Sequence, residues 1–556
     1  MEQETGREQG RFDGRGERAG APRPKAVGAA PAARRALIAS LLLLAGGAPA
    51  HEPAAEPSKS PWAEIRVVDG ATGRGVPIAE LATVNGLEFV TDDEGRVAFQ
   101  EPGLMGRELF LHVRSHGYEH PADGFGFRGR RVVPTAGETV TIPLERRNVA
   151  ERLCRLTGEG RLRDSVLLGR VPFPSPPIPG GVVGQDSVQA VPYGGRVFWF
   201  WGDTNRLSYP LGMFRTCGAT TPLPDPSTAG TLARGIPFDY FLGEPTPAEP
   251  GGFVRAMMPL VERPDGVIWI DGVCVVPDAE GRGRMVAHYS RRRGLAEELE
   301  QGIAVWDDAV ESFVTARELP LGETWRRPSS HPLRWEERDS GGTPRSWLLF
   351  GAPSPNVRVP ATYEAVLDPT RYEAYSCLDG EGKPLLDASG TPQWRWQSEL
   401  PPTGSADERR LLDAGLVAPG NCRFLPAASG DAEGKRVRLH SGTVRYNPHR
   451  KRFILVAGEI GGTSHLGEVW YAEADAPTGP FEEAVKIVTH DRYSFYNVCH
   501  HDFLDADGGR TIHFEGTFTR DFSGNPRAIP RADYNQVLYR LDLDADALAP
   551  AREGTR

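Results

Sequence analysis

Two aspartates, Asp186 and Asp203, lie on either side of the string Tyr193-Gly194-Gly195-Arg196. A two-residue Gly-Gly loop closes a tight hairpin and sets its register, so Tyr193 faces Arg196. Carrying that pairing outward places Asp186 directly against Asp203, at a cross-strand Cβ separation of ~4.5–5.5 Å. Carboxylates that close titrate as one coupled unit with one proton held more tightly, which suits acid/base work on a neutral sugar. The same residues read as well as a solvated strand end, with Asp203 capping the turn Gly202-Asp203-Thr204-Asn205.

These residues must be positioned by repeated small sheets. Hairpins of similar pattern open near Asp186, Asp271, Ser329, His440 and Asn497, and further strands are expected at 468–472 and 535–541. Such recurrence predicts a five-bladed β-propeller, in which each blade is buried only by its neighbours. The Pro-rich stretches 207–252 and 352–420 are expected to be long insertions that shape a binding face. In a propeller the innermost strands all start at one mouth of the central channel. Asp186, Asp271, His331, His440 and His500 should therefore converge, joined by the second-strand ends Asp203, Glu459 and Glu515. So many ionisable groups are costly to gather for stability alone. Trp201, Trp269 and Tyr289, with Trp199, Trp325 and Tyr496, fall near the channel ends, where rings can stack on sugar faces, although strand aromatics also build cores. In the last hairpin, symmetric pairing about 505–509 sets His501 opposite His513 and Cys499 opposite Glu515. Imidazole and carboxylate so placed are metal-binding chemistry, but a packed blade face is the preferred reading. No cofactor is required, and a single structural cation near the channel axis is compatible with this arrangement.

At 556 residues the chain exceeds what one core supports, and its 65 Gly and 49 Pro imply many turns between short strands. The net charge of −10 argues against a nucleic-acid partner. Arg34-Arg35 precede an apolar run, Ala36 to Ala45, and then small residues through Ala50, which predicts an export segment over 1–50, either cleaved so that the product begins near His51 or kept as an anchor, and a secreted, periplasmic or cell-surface location. A Pro-rich linker (51–61), a β-sandwich (62–146), a connector (147–179) with a short helix at 149–156, the propeller (180–545) and a tail (546–556) follow. The sandwich and propeller are expected to be independent cores. Six scattered cysteines permit disulfides without specifying a pairing.

Two resemblances sharpen these expectations. The strings V-x-D-x-x-T-G-x-x-V-P, T-D-x-x-G-x-V-x-F and H-V-R-S-H-G-Y-E within 62–146 resemble the carboxypeptidase-regulatory-like module, an immunoglobulin-like sandwich that usually acts as a spacer. G-Q-D-S-V-Q, W-F-W-G-D-T-N, E-V-W-Y-A-E-A-D-A-P-T-G-P-F and H-F-E-G-T-F-T resemble the five-bladed propeller glycosidases of the arabinanase, xylosidase and fructosidase superfamily. The G-Q-D and W-G-D-T strings are most similar to a secreted branch that includes endo-D-arabinanases. The resemblance implies a base or nucleophile at Asp186, a second Asp that tunes and orients at Asp271, and a general acid for which Glu459 is the first choice and Glu515 the second. It implies a carbohydrate substrate, with cell-envelope association and a monomeric state as further expectations. Three classes stand open: glycoside hydrolase, non-catalytic carbohydrate-binding propeller, and structural envelope protein.

Overall fold

The computed structural model describes residues 60–213, 215–225, 232–260, 262–294, 297–338, 341–430 and 434–553. The expected export segment and most of the Pro-rich linker lie outside the described residues. Beyond them the chain from Lys59 on forms one compact unit.

The sandwich comes first. One sheet orders strands 96–99, 63–69, 139–146 and 118–119, and the other 88–90, 80–83, 109–114 and 129–132. Their inward residues, among them Ile65, Val67, Leu81, Val97, Phe99 and Leu111, form a separate apolar core. The hairpin over 91–99 turns at Gly95, whose φ of +72° only glycine adopts cheaply.

Five sheets then make the propeller. Their innermost strands are Gln189–Tyr193, Val267–Pro277, Leu333–Arg338, Leu439–Asn447 and Ser494–His500, close to the five expected openings. The all-β class and the sandwich-plus-propeller architecture thus stand as the sequence implied. The third strands Val469–Ala474 and Asn535–Asp542 also fall where expected.

Three segments differ from the sequence expectation. The Pro-rich stretch 207–252 is not simply an insertion, because it supplies blade one with Cys217–Pro222 and Asp239–Tyr240. The stretch read as a short connecting helix is the strand Glu151–Arg155, which pairs with Asn535–Asp542 as the outermost strand of blade five. All of its residues are buried, so it lacks the one-sided pattern that distinguishes strand from helix. An N-terminal strand thus closes a blade whose other three strands end the chain. The Pro-rich stretch 352–420 is not simply an insertion, because it supplies blade three with Val357–Pro360, Glu373–Ser376 and Arg395–Gln397, followed by the helix Ser405–Asp413.

Sandwich and propeller are bonded through that closing strand. The buried Arg152 donates to the carbonyls of Pro77 (3.1 Å) and His116 (3.0 Å) and to Ser115 Oγ (2.6 Å), all in the sandwich. Asp93 accepts from the Arg155 amide (3.1 Å) and from Arg161 Nε (3.0 Å). Ile78 packs into the same apolar cluster as Ile454, Tyr471 and Phe495 of the blades. The two cores remain distinct, but the surface between them is buried and hydrogen-bonded.

Candidate active site

The first hairpin has the register that its Gly-Gly loop dictates: Tyr193 pairs with Arg196 and Gln189 with Phe200. The same sum of residue numbers continues outward to Gln185 and Thr204. Asp186 therefore stands opposite Asp203, its amide donating to the Asp203 carbonyl (3.2 Å) while Gly202 donates to the Asp186 carbonyl (2.9 Å). A Cβ on Gly202 would lie 2.7 Å from Asp186 Oδ1, so this position must be glycine for the carboxylate to fold back over the turn. Gln185, fully buried, anchors the motif by donating to Cys217 Sγ (3.0 Å) and accepting from the Tyr240 hydroxyl (2.9 Å).

The two carboxylates have different surroundings. Asp186 Oδ1 accepts from the Asp203 amide (2.8 Å) and Oδ2 from the Tyr496 hydroxyl (3.0 Å). The Tyr534 hydroxyl and Ser187 also hydrogen-bond to it. Burial raises its carboxyl above the ordinary value, and these donors offset that rise only in part. Asp203 receives one side-chain donor, Trp269, and its Oδ1 is buried without a partner. Burial, reinforced by the neighbouring Asp186 charge, lifts it from 3.8 to about 7. The pair thus joins a carboxyl held by four donors to one lifted to about 7, which retains much of its proton at neutral pH.

Next to Asp186 all five blades meet around an axial cavity of about 150 Å³, lined by Ser187, Asp271, His331, Ser441 and Asn497 among others. Ser187 and Asn497 both have left-handed backbones (φ 55° and 52°), and Asn497 Nδ2 donates to Ser187 Oγ (2.5 Å), tying blade five to blade one. Burial raises the Asp271 carboxyl, opposed by Arg327, the Ser330 amide and Arg292. Burial, with Arg445 and His501 nearby, holds His331 neutral. His440 is half-buried beside this cavity, its Nδ1 3.2 Å from Ser441 Oγ. Trp269 is also half-buried, its indole bonded to Asp203 and its ring beneath Arg292 at 5.6 Å.

Other expected site residues lie elsewhere. Glu459 ends its strand with both oxygens engaged, Oε1 by Lys435 Nζ (2.9 Å) and Oε2 by the Trp470 indole (2.8 Å). Both of its oxygens are thus engaged as acceptors. Glu515 pairs with Cys499 as the register predicted, and His501 donates its amide to the His513 carbonyl. That point of the blade is fully buried rather than at the mouth, because the hairpin's inner strand starts at Ser494, several residues before the cavity. His500 is likewise buried, with Nε2 on Asp505 (2.8 Å). Trp201 lies under Trp199 (6.4 Å, 10°) and Tyr289 donates to Glu300 (2.6 Å), so both are blade core and not sugar platforms. Strand aromatics alternate between faces, and sequence alone does not show which face the next blade covers. The site residues that sequence reasoning missed are Tyr534, Ser187 and Asn497. Tyr534 carries no motif and precedes the strand that opens at Asn535.

Among the described residues no group of three or more His, Cys, Asp or Glu side chains is set to hold a metal ion. All six cysteines are buried and unpaired as disulfides. Cys499 Sγ stands 3.5 Å from His331 Nδ1 and 3.6 Å from His501 Nδ1.

The buried Glu515 makes a measurable prediction. With no charge nearby to offset burial, its carboxyl rises from 4.5 to about 8, so at neutral pH it keeps its proton and donates a hydrogen bond to His501 Nε2 (2.7 Å), which burial keeps neutral. The folded state then holds a proton that the unfolded chain releases. Its stabilisation is complete below the unfolded value and is lost as pH rises through about 8. Glu515→Gln copies the protonated form and lacks this decline. Its melting temperature relative to the parent should climb from about pH 5 to about pH 8. A pH-independent difference would show that the carboxyl is already ionised.

No family model matches this sequence, and no curated protein matches it. Solved structures do match. A Bifidobacterium bifidum s17 chain named as an exo-β-1,3-galactanase aligns at 11% identity over 71% of this chain and 97% of its own, with a TM-score of 0.34. The GH43_1 enzyme of Xanthomonas citri, in complex with xylotriose, aligns at 12% identity over 65% and 87%, with a TM-score of 0.31. An exo-1,5-α-L-arabinanase from a bovine ruminal metagenomic library aligns at 10% identity over 65% and 93%, with a TM-score of 0.30.

Proposed function

We propose that the chain is a glycoside hydrolase acting on a neutral glycan at the mouth of the propeller axis. The observation that carries this reading is the facing pair of carboxylates, one held by four donors and the other lifted to about 7, beside the cavity where the blades converge. Asp186 acts as base or nucleophile, because its donors hold it as an acceptor. Asp203 acts as general acid, because it keeps a proton near neutrality. Asp271 and His331 line the cavity and orient the sugar, and Trp269 offers a ring edge beside the acid. The exposed Phe522, packed edge-on against Tyr496 at 5.6 Å, extends the aromatic wall outward. The motif resemblance to propeller glycosidases supports the same assignment. Export of the product, association with the cell envelope, a monomeric state, a carboxypeptidase-regulatory-like identity for the sandwich and independence from any cofactor belong to this reading too.

Sugar release from a polysaccharide panel, followed across pH, tests it. A general acid works only while protonated, so kcat/KM should be highest below the Asp203 value and fall as pH rises through about 7. Asp203→Asn should remove that limb along with most of the rate. Glycan binding without any release would instead mark a non-catalytic propeller, and failure to bind any glycan a structural one.

A further inference from the structure

The face that blade three turns toward blade four is not fully covered. On it the register sets Trp335 opposite Trp347, and farther out Tyr375 opposite Trp396. Between the second and outermost of these strands Arg358 lies over the Trp347 ring at 4.0 Å and over the Trp396 ring at 4.5 Å, a cation held between two indoles. Glu337 (2.9 Å) and Glu373 (2.6 Å) fix its guanidinium. Blade four supplies the opposite wall, from Phe453 and the turn Asp475 to Thr478, and the two walls enclose about 240 Å³. Propeller faces are ordinarily buried by the next blade. Here a wedge lined by three tryptophans stays open.

Its polar groups point to a class of ligand. Trp347 is 7% exposed, so its ring forms the floor of the wedge. The carboxylates of Glu337 and Asp475 stand at the rim, 42% and 81% exposed. A sugar ring matches this set: its C–H face packs on indole, and its hydroxyls donate to the rim carboxylates. The volume is below the ~300–1,000 Å³ of pockets for drug-sized ligands and suits one or two sugar units. Arg358 is paired with Glu337 and Glu373, and Asp475 with Arg452 (3.1 Å), so the charges of this wall are matched and favour a neutral sugar over an acidic one.

The pocket is remote from the carboxylate pair. Trp335 follows the cavity-lining His331 by four residues, a rise of ~13 Å along the strand. The 475–478 turn ends the strand Val469–Ala474, which runs away from the end where Glu459 stands. One short glycan cannot fill both places, whereas a polymer can engage both, and a second contact raises retention without touching the chemistry. We infer that this wedge between blades three and four is a secondary binding site for neutral saccharide, anchoring the protein on the polymer it acts on; the last clause rests on the hydrolase reading, and the binding site itself does not.

Affinity electrophoresis of the full chain in native gels containing soluble arabinan, xylan or β-1,3-galactan tests this. At least one of these polysaccharides should retard the parent protein, and Trp335→Ala and Trp396→Ala should each weaken that retardation by about tenfold or more. Hydrolysis of short oligosaccharides by the same variants should stay within about twofold of the parent. Because Trp335 also packs on Phe453 at 4.7 Å, the rim variant Glu337→Gln and the melting temperature of every variant accompany the measurement. Parent-like retardation in folded Trp335→Ala and Trp396→Ala, or no retardation of the parent by any of the three, overturns the site. Asp186→Asn separates the two readings: it should keep the retardation while losing hydrolysis. If it keeps both, the catalytic assignment falls and the secondary site is still judged on its own variants.

Discussion

Asp186→Asn should lower turnover on the true substrate by ~10²–10⁴-fold, the scale of a lost acid/base group, while leaving the fold intact. The replacement keeps size and nearly all of the hydrogen bonding. Asn Oδ1 still accepts from the Asp203 amide, and the Tyr496 hydroxyl can turn to accept from the new amide where it now donates to Oδ2. Removing the charge also removes the Coulomb part of the Asp203 shift, leaving the larger part due to burial. Above about pH 7, where both carboxyls of the parent are pressed to ionise, the variant should be as stable as the parent or more so. Steady-state rates and melting temperatures measured on one preparation decide the matter. A destabilised variant with full activity per folded molecule would make Asp186 a turn-capping carboxylate.

Removing the sandwich should unfold the propeller, contrary to the independence that two separate cores suggest. The strand Glu151–Arg155 stays in the truncated chain 147–556, but Arg152 loses the Pro77, His116 and Ser115 acceptors at once, and Arg155 and Arg161 lose Asp93. Each of these bonds is exchanged for one to water, a net loss of ~0.5–1.5 kcal/mol, or ~1.5–3 kcal/mol for a charged donor. Against a total stability of ~5–15 kcal/mol, several such losses on one closing strand are decisive. Exposure of the apolar cluster that Ile78 covers adds to them. Size exclusion and thermal denaturation of 147–556 should show aggregation or the absence of a cooperative transition, with the chain from residue 60 onward soluble. A monomeric fragment that melts with the parent would show that the blades close without this support.

Local pattern determined much about this protein. Alternation, Gly-rich turns and their recurrence were enough for an all-β chain with a sandwich before five blades, and the Gly194-Gly195 loop alone determined that Asp186 faces Asp203, because a two-residue hairpin loop admits one register. The partners of Glu515 and His501 followed from symmetric pairing about the 505–509 loop. What only the tertiary structure decided depends on which face of a strand the next blade covers and how deep in the ring a residue lies. Trp201, Tyr289, His500 and Glu515 occupy strand positions like those of true channel residues, yet neighbouring blades bury them. Trp335 and Trp396 look like core tryptophans, yet blade four leaves their wedge open. The closing role of Glu151–Arg155 was hidden because a strand buried on both faces shows no period, and its partner strand is almost four hundred residues away. Tyr534 reaches Asp186 across a similar distance, through a contact that no motif encodes. Hydrogen bonds within a hairpin follow from the spacing of its residues. Proximity across a closed ring of blades follows only from closing the ring.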